Sequence, residues 1–298
     1  MKFYRAFIVG LSVTAVAACN SDPVSHVVTP EESAAVRFVN AIPDTVAMDY
    51  RFVTYPSNAS EPALAFQSSS GNWRIIPAGT HTVRAFFTNN TAAGDAVSVV
   101  SQVISEGSFP LGAGKKYTIL HYGFAKAATS PQKQLVLIED VVPTVPAGQV
   151  AIRVINAAPA FGNINVYAAA AAATGGAVAG TPAFSNVAPG AVTAWVNFPV
   201  TTGSNVYRMT ATPAASTTIN ADFLAPAGAA AVAATATSAA LDAVPGSRIG
   251  QSAFTIVVFG PKVAYVLRTP SGGTSNVAGT ATGAMTALLD VWPPRISP

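Results

Sequence analysis

The sequence predicts an all-β protein: two tandem antiparallel β-sandwich (Ig-like) domains that follow a signal peptide and a tether. Three observations carry the prediction. The chain repeats itself in four ordered blocks, the blocks alternate apolar and polar residues with period two, and the one cysteine closes a short apolar run near the N-terminus.

The N-terminal run comes first. Lys2 and Arg5 form a positive region, Ala6 to Ala18 an apolar stretch, and small residues precede Cys19, the order of a secretory signal peptide over residues 1–18. A membrane-crossing helix needs about 20 apolar residues, more than this run supplies. Val16-Ala17-Ala18-Cys19 resembles the lipobox of bacterial lipoproteins, which implies that Cys19 is acylated and becomes the first residue of the mature chain. In that resemblance the residue after the cysteine matters. Asn20 stands where inner-membrane retention uses aspartate, so the expected location is the cell envelope with the outer membrane favoured, facing the periplasm or the surface. Residues 19–33, with Pro23, Pro30, Glu31 and Glu32, show no apolar periodicity and read as a lipidated tether. As a flexible coil such a segment reaches about 20 Å.

Composition limits both the partners and the forces that hold the fold. The formal charge is +3, and loss of Lys2 and Arg5 with the signal leaves +1. No basic cluster interleaved with aromatics is present, which argues against nucleic acid as a partner. With a single cysteine there are no disulfide staples, so each domain must be held by packing. Domains of this size bury about two thirds of their unfolded surface, enough for two cores.

The repeat sets the domain boundaries at residues 34–145 and 148–294, with Val145-Pro146-Ala147-Gly148 as linker. Val36-Arg37-Phe38-Val39-Asn40-Ala41 recurs as Ile152-Arg153-Val154-Ile155-Asn156-Ala157. Pro77-Ala78-Gly79 and the strand after it align with Ala188-Pro189-Gly190, which matches His81 to Val192 and Arg84 to Trp195. Tyr117 to Gly123 aligns with Phe254 to Gly260, and Ile138-Glu139-Asp140 with Leu288-Leu289-Asp290. The second copy is longer across the Ala-rich stretch from Ala214 to Pro245, which composition leaves open as helix or loop, as it does Ala168 to Ala173. Within blocks, Met48, Tyr50 and Phe52 share one face, and Tyr117, Ile119 and His121 face opposite to Thr118, Leu120 and Tyr122.

Asn40-Ala41-Ile42-Pro43-Asp44, Met48-Asp49-Tyr50, Pro77-Ala78-Gly79-Thr80 and Gly114-Lys115-Lys116-Tyr117-Thr118 resemble the signature of the bacterial domain of unknown function 4397 family. The resemblance implies β-rich extracytoplasmic modules, often in tandem and often behind lipoprotein signals, and it implies no activity. Asn40 and Asn156 stand where that family often has histidine, and in the second copy Ala160 replaces the aspartate.

Candidate chemistry is sparse. His26 lies in the tether, while His81 and His121 lie on strands among apolar residues and read as structural. No Gly-x-Ser-x-Gly elbow accompanies them, and no zinc or calcium spacing gathers ligands, so neither a cofactor nor a metal is expected. Asp44, Asp49, Asp140 and Asp290 lie at loop edges, Asp140 and Asp290 reading as strand ends that accept local backbone hydrogen bonds, and Arg37 and Arg153 as the polar side of a first strand, in a cross-strand ion pair or on an exposed face. Trp195 and Trp73 are the candidate ligand surface, as aromatic faces able to stack on a sugar; Trp292 is the third tryptophan. The expectation is a non-enzymatic envelope protein, lipid-anchored to the membrane through Cys19, that displays two sandwich modules for binding or adhesion to an envelope protein or glycan. The alternatives are a carbohydrate-binding module and an envelope glycan or peptidoglycan hydrolase.

Overall fold

Each half of the chain builds two stacked sheets from short strands that Gly, Pro and Asn/Asp turns separate. The computed structural model describes residues 32–55, 60–88, 103–235, 237–268 and 274–291. Cys19, His26, Trp292 and the signal and tether readings lie outside them. In the first half the strands are β1 (Ser33–Ala41), β2 (Met48–Phe52), β3 (Ser60–Leu64), β4 (Ser68–Ser69), β5 (Arg74–Pro77), β6 (Gly79–Phe87), β7 (Val103–Leu111), β8 (Lys116–Tyr122) and β9 (Gln134–Glu139). One sheet has the order β4-β1-β8-β9, with β5 also on β1, and the other β3-β2-β6-β7.

The second half repeats this plan. Its strands are β10 (Gln149–Ala157), β11 (Ile164–Ala171), β12 (Phe184–Val187), β13 (Val196–Pro199), β14 (Val206–Pro213), β15 (Ala221–Leu224), β16 (Ser252–Phe259), β17 (Tyr265–Arg268), β18 (Thr274–Val277) and β19 (Ala284–Val291), with one 3-10 turn at Pro159–Phe161. The sheets are β13-β10-β16-β19 and β12-β11-β14-β15, and β17-β18 forms a separate hairpin. The all-β, tandem-sandwich expectation holds, with one refinement: β1 pairs with β8, and β10 with β16, in parallel.

Those parallel strands also depart from half-burial. β10 and β16 are buried along almost their whole length, as are the later residues of β1 and β8. The reason is that each has a core on both faces. One face of β1 and β8 carries Val36, Phe38, Tyr117 and Ile119 into the first sandwich's core, with Met48, Tyr50, Phe52 and Val83 opposite. The other face carries Val39, Ala41, Leu120 and Tyr122 against Ile155, Ala157, Val257, Phe259 and Leu288 of the second half. The two sandwiches therefore pack sheet on sheet, and the described residues form one compact unit.

Both sandwiches point the same way. Val263 N–H donates to Pro43 C=O and the Gln67 amide to Gly260 C=O, joining loops beyond the ends of β1 and β16. At the other end the nine-residue segment from Asp140 to Gly148 crosses from β9 to β10. We call the end where β1 and β10 begin the entry end and the opposite one the far end.

Pairing corrects one part of the repeat alignment. β5 pairs with β1 as β13 pairs with β10, Pro77 opposite Ser33 and Pro199 opposite Gln149. Trp73-x-x-x-Pro77 is thus the counterpart of Trp195-x-x-x-Pro199, and Trp195 matches Trp73 rather than Arg84. β6 in turn answers to β14, which matches His81 to Tyr207 instead of Val192. A Pro-Gly turn recurs at many strand junctions and misled the alignment. The alanine runs are also settled: Ala168 to Ala171 completes β11, and residues 226–235 and 237–247 pair as a two-stranded ribbon.

Candidate functional site

Arg37, Arg153, Asp140 and Asp290 meet between the two sandwiches. The Arg37 Nη2 donates to Asp290 and, at 3.3 Å, to Asp140, while the Arg153 Nη2 donates to Asp140. Every one of these side chains is at most 5% exposed. Thr118 and Thr255 complete the set: each accepts from an arginine Nε at 2.8 Å and donates to the aspartate of its own half. Two positive and two negative groups share the space, so the cluster is neutral when all four are ionised. Burial pushes the Asp290 carboxyl above its ordinary value, Arg37 pulls against it, and the Asp140 carboxylate pushes with it.

The tryptophans cap this cluster. The Arg37 guanidinium lies 4.5 Å from the Trp73 ring centroid, and the Arg153 guanidinium 4.7 Å from that of Trp195. Lys116 also approaches Trp73, at 5.6 Å, and the Trp195 indole N–H donates to Val141 C=O at 2.9 Å. Both rings are half-buried, with an arginine against each. The aspartates expected to take local backbone bonds and the arginines expected on a polar strand face are in fact long-range partners, separated by up to 253 residues.

The remaining candidates are dispersed. Asp44 accepts the backbone N–H groups of Ala125 and Lys126, both at 2.8 Å. Asp49 accepts the Ala63 N–H and the Thr88 hydroxyl. His81 Nε2–H donates to Pro77 C=O at 2.8 Å, and its Nδ1 lies 3.2 Å from the Thr54 hydroxyl. His121 is fully buried, with Nδ1 3.0 Å from the Tyr50 hydroxyl and Nε2 2.8 Å from the Ser105 hydroxyl. Burial, followed by the charge of Lys133, lowers its pKa to about 3, and burial raises that of Tyr50 well above the ordinary phenol.

A Ser/His contact therefore exists, on residues the sequence did not pair. Its histidine is sealed in the core and held neutral, and its third member is a buried phenol in place of a carboxylate. Among the described residues no aspartate bonds to either strand histidine. Nor, among them, could any group of three or more His, Cys, Asp or Glu hold a metal ion.

Asn40 and Asn156 have a clear structural role. Each is fully buried and folds its side chain over the end of its strand: Oδ1 accepts the N–H two residues on, and Nδ2 donates across the sandwich to Leu64 C=O or Val187 C=O. At the far end the β17-β18 hairpin encloses a shallow depression of about 310 Å³ lined by Ala264, Tyr265, Val266, Asn276, Val277 and Ala278.

Comparison with known proteins agrees with the geometry at family level. No curated protein matches the chain. Among solved structures, the chain is similar to the fimbrial anchor protein Mfa2 from Porphyromonas gingivalis, at 12% identity and TM-score 0.21, covering 88% of this chain and 100% of that one. It is also similar to a DUF1812 protein from Bacteroides thetaiotaomicron, at 12% identity and TM-score 0.20, covering 83% of this chain and 99% of that one. Superpositions of that quality carry no argument about function. The model described as Domain of unknown function (DUF4397) matches residues 34–167, the whole first sandwich and the opening strands of the second, and bears out the resemblance over that stretch.

Proposed function

We propose that this chain is a non-enzymatic, lipid-anchored cell-envelope protein that presents two β-sandwich modules as one rigid pair for binding or adhesion. The observation that carries the reading is the common direction of the two halves. The chain joins the fold at Ser33, on the entry end, and both modules turn their far-end loops and the β17-β18 hairpin away from it. A tether leading to an acylated Cys19 would leave those loops facing outward. The paired, cross-braced interface supports a display role, because it fixes the spacing of the far-end loops.

The two alternatives lose support from the same geometry. A sugar platform on Trp73 and Trp195 would compete with the arginines that already lie against those rings. A hydrolase would need an accessible nucleophile and base, whereas His121 is fully buried. The outer membrane is the favoured location on the strength of Asn20. Intact-mass analysis of the protein from its native host tests the anchor: a diacylglyceryl-modified Cys19 is expected, and an unmodified thiol refutes it. A binding screen of the full chain against envelope glycans and proteins tests the display role. Loss of binding on substitution in the far-end loops is expected, and turnover of a glycan would overturn the non-enzymatic reading.

A further inference from the structure

The Ala-rich insertion of the second module emerges from the entry end. Its base is tied there: Ser247 N–H donates to Pro226 C=O, Thr201 N–H to Ser247 C=O, and Gln251 N–H to Gln149 C=O at the start of β10. From that base two extended segments pair through Ala229 with Val244, Val232 with Leu241, and Thr235 with Ser238. Between residues 229 and 244 the one titratable side chain is Asp242, and no lysine or arginine occurs. The three side chains larger than alanine that are apolar there, Val232, Leu241 and Val244, are 53%, 63% and 41% exposed. Val232 and Leu241 are cross-strand partners, so they form one patch on an otherwise small-residue ribbon.

Paired in this way, the two side chains present one contiguous aliphatic surface that gains free energy when something covers it. The covering surface is indicated by where the rest of the chain goes. Ser33, whose C=O accepts the Gly114 N–H, begins β1 at the same end, and the segment between it and Cys19 spans thirteen residues. A coil of that length reaches about 20 Å, comparable with the seven residues of one ribbon strand at about 3.3 Å each.

We propose that the ribbon of residues 229–244 is a second membrane contact, lying in the headgroup and upper acyl region of the bilayer beside the lipid on Cys19. Ala229, Val232 and Thr235 already bond their partners across the ribbon, water and headgroups in that layer can take its outward edges, and its near-absence of charge removes the main cost of entering it. Two contacts at one end hold the modules at a set orientation to the membrane, where a tether alone would let them tumble. The inference rests on the lipid-anchor reading above.

The test uses the full chain isolated from host membranes and reconstituted into phosphatidylethanolamine–phosphatidylglycerol vesicles. Single variants Leu241→Cys and Val232→Cys carry an environment-sensitive dye, since an acylated Cys19 does not react, and Lys126→Cys in a far-end loop is the control. A lipid-borne quencher should quench the ribbon dyes roughly threefold or more over the control dye, as expected for side chains within the interface. Equal quenching at all three sites, or a ribbon dye shielded only when a second copy or another protein is added, overturns the proposal. The same preparation gives the mass of Cys19. Absence of its lipid refutes the anchor, whereas a lipidated chain with an unquenched ribbon refutes the ribbon contact alone.

Discussion

Replacing Asp140 by Asn keeps the shape of the carboxylate and removes its charge. In the structure Asp140 takes donors from Arg37, Arg153 and Thr118, all in a site at most 5% exposed. The substitution leaves two guanidinium groups facing the single carboxylate of Asp290, a net charge of +1 away from water. Breaking a buried pair from one side costs about 3–5 kcal/mol. For a unit of this size about 2 °C is lost per kcal/mol, so the melting temperature should fall by roughly 6–10 °C. Arg153→Met alone should also destabilise, but the double variant Asp140→Asn/Arg153→Met restores neutrality around the surviving Arg37–Asp290 pair. A double-mutant cycle by thermal or urea unfolding should show a favourable coupling of about 1–3 kcal/mol. Glu106→Gln, which breaks the exposed Arg84–Glu106 pair, should cost less than about 1 kcal/mol. Additive effects, or an Asp140→Asn variant as stable as the Glu106→Gln control, would show that the cluster does not brace the two halves.

The other predictions address the core and the backbone. His121 has a folded pKa of about 3 against 6.5 in the unfolded chain, so between these values the unfolded state binds the extra proton and stability is lost as pH falls. From pH 7 to pH 5 that loss is about 2 kcal/mol, which urea titrations should show in the native chain and find reduced by that amount in His121→Gln. Equal slopes would refute it. Trp73→Ala and Trp195→Ala should lower stability by similar amounts, about 1–3 kcal/mol, because each strips an arginine of its ring; a large effect at one site only would break the equivalence. Gly123 has φ +105°, and a Cβ there would stand 2.5 Å from Gln132 C=O, so Gly123→Ala should cost more than about 2 kcal/mol in the same assay.

What was legible in the sequence was what short-range pattern encodes. The alternation of Tyr117, Ile119 and His121 against Thr118, Leu120 and Tyr122 appears as two buried faces, one in the sandwich core and the other between the halves. The equivalence of Arg37 with Arg153 and of Asp140 with Asp290 was also readable. Their mutual contact was not, because nothing in a local window reveals that a polar strand face will be covered by another domain. Hence the sequence leaves the arginines open between a cross-strand ion pair and an exposed face, and offers Trp195 as a ligand surface. One signal was available: one arginine and one aspartate repeated in each copy, each arginine flanked on its strand by apolar residues of both faces. The ribbon was hidden by composition, since alanine is compatible with helix, strand or loop.

The form of the interface explains why the charges were retained at such depth. Arg37 of the first half meets Asp290 of the second, and Arg153 of the second meets Asp140 of the first, so each contact is repeated with the halves exchanged. The apolar part follows the same rule, with Val39, Ala41, Leu120, Tyr122 and Ile138 facing their own counterparts Ile155, Ala157, Val257, Phe259 and Leu288. Reciprocity of this kind is the property of a twofold dimer interface, in which one patch is complementary to itself. A module that first paired with a second copy of itself and was then duplicated in one chain would inherit it. Duplication also releases the symmetry: Arg37 contacts both aspartates while Arg153 contacts one within 4 Å, and only the second copy carries the ribbon. Two equal charges brought together by such an axis repel, so each arginine needs a carboxylate from across it. The paired ions therefore specify the register of the two halves, since sliding one sheet past the other by a residue would part Arg37 from Asp290 and Arg153 from Asp140, the two pairs that cross between them.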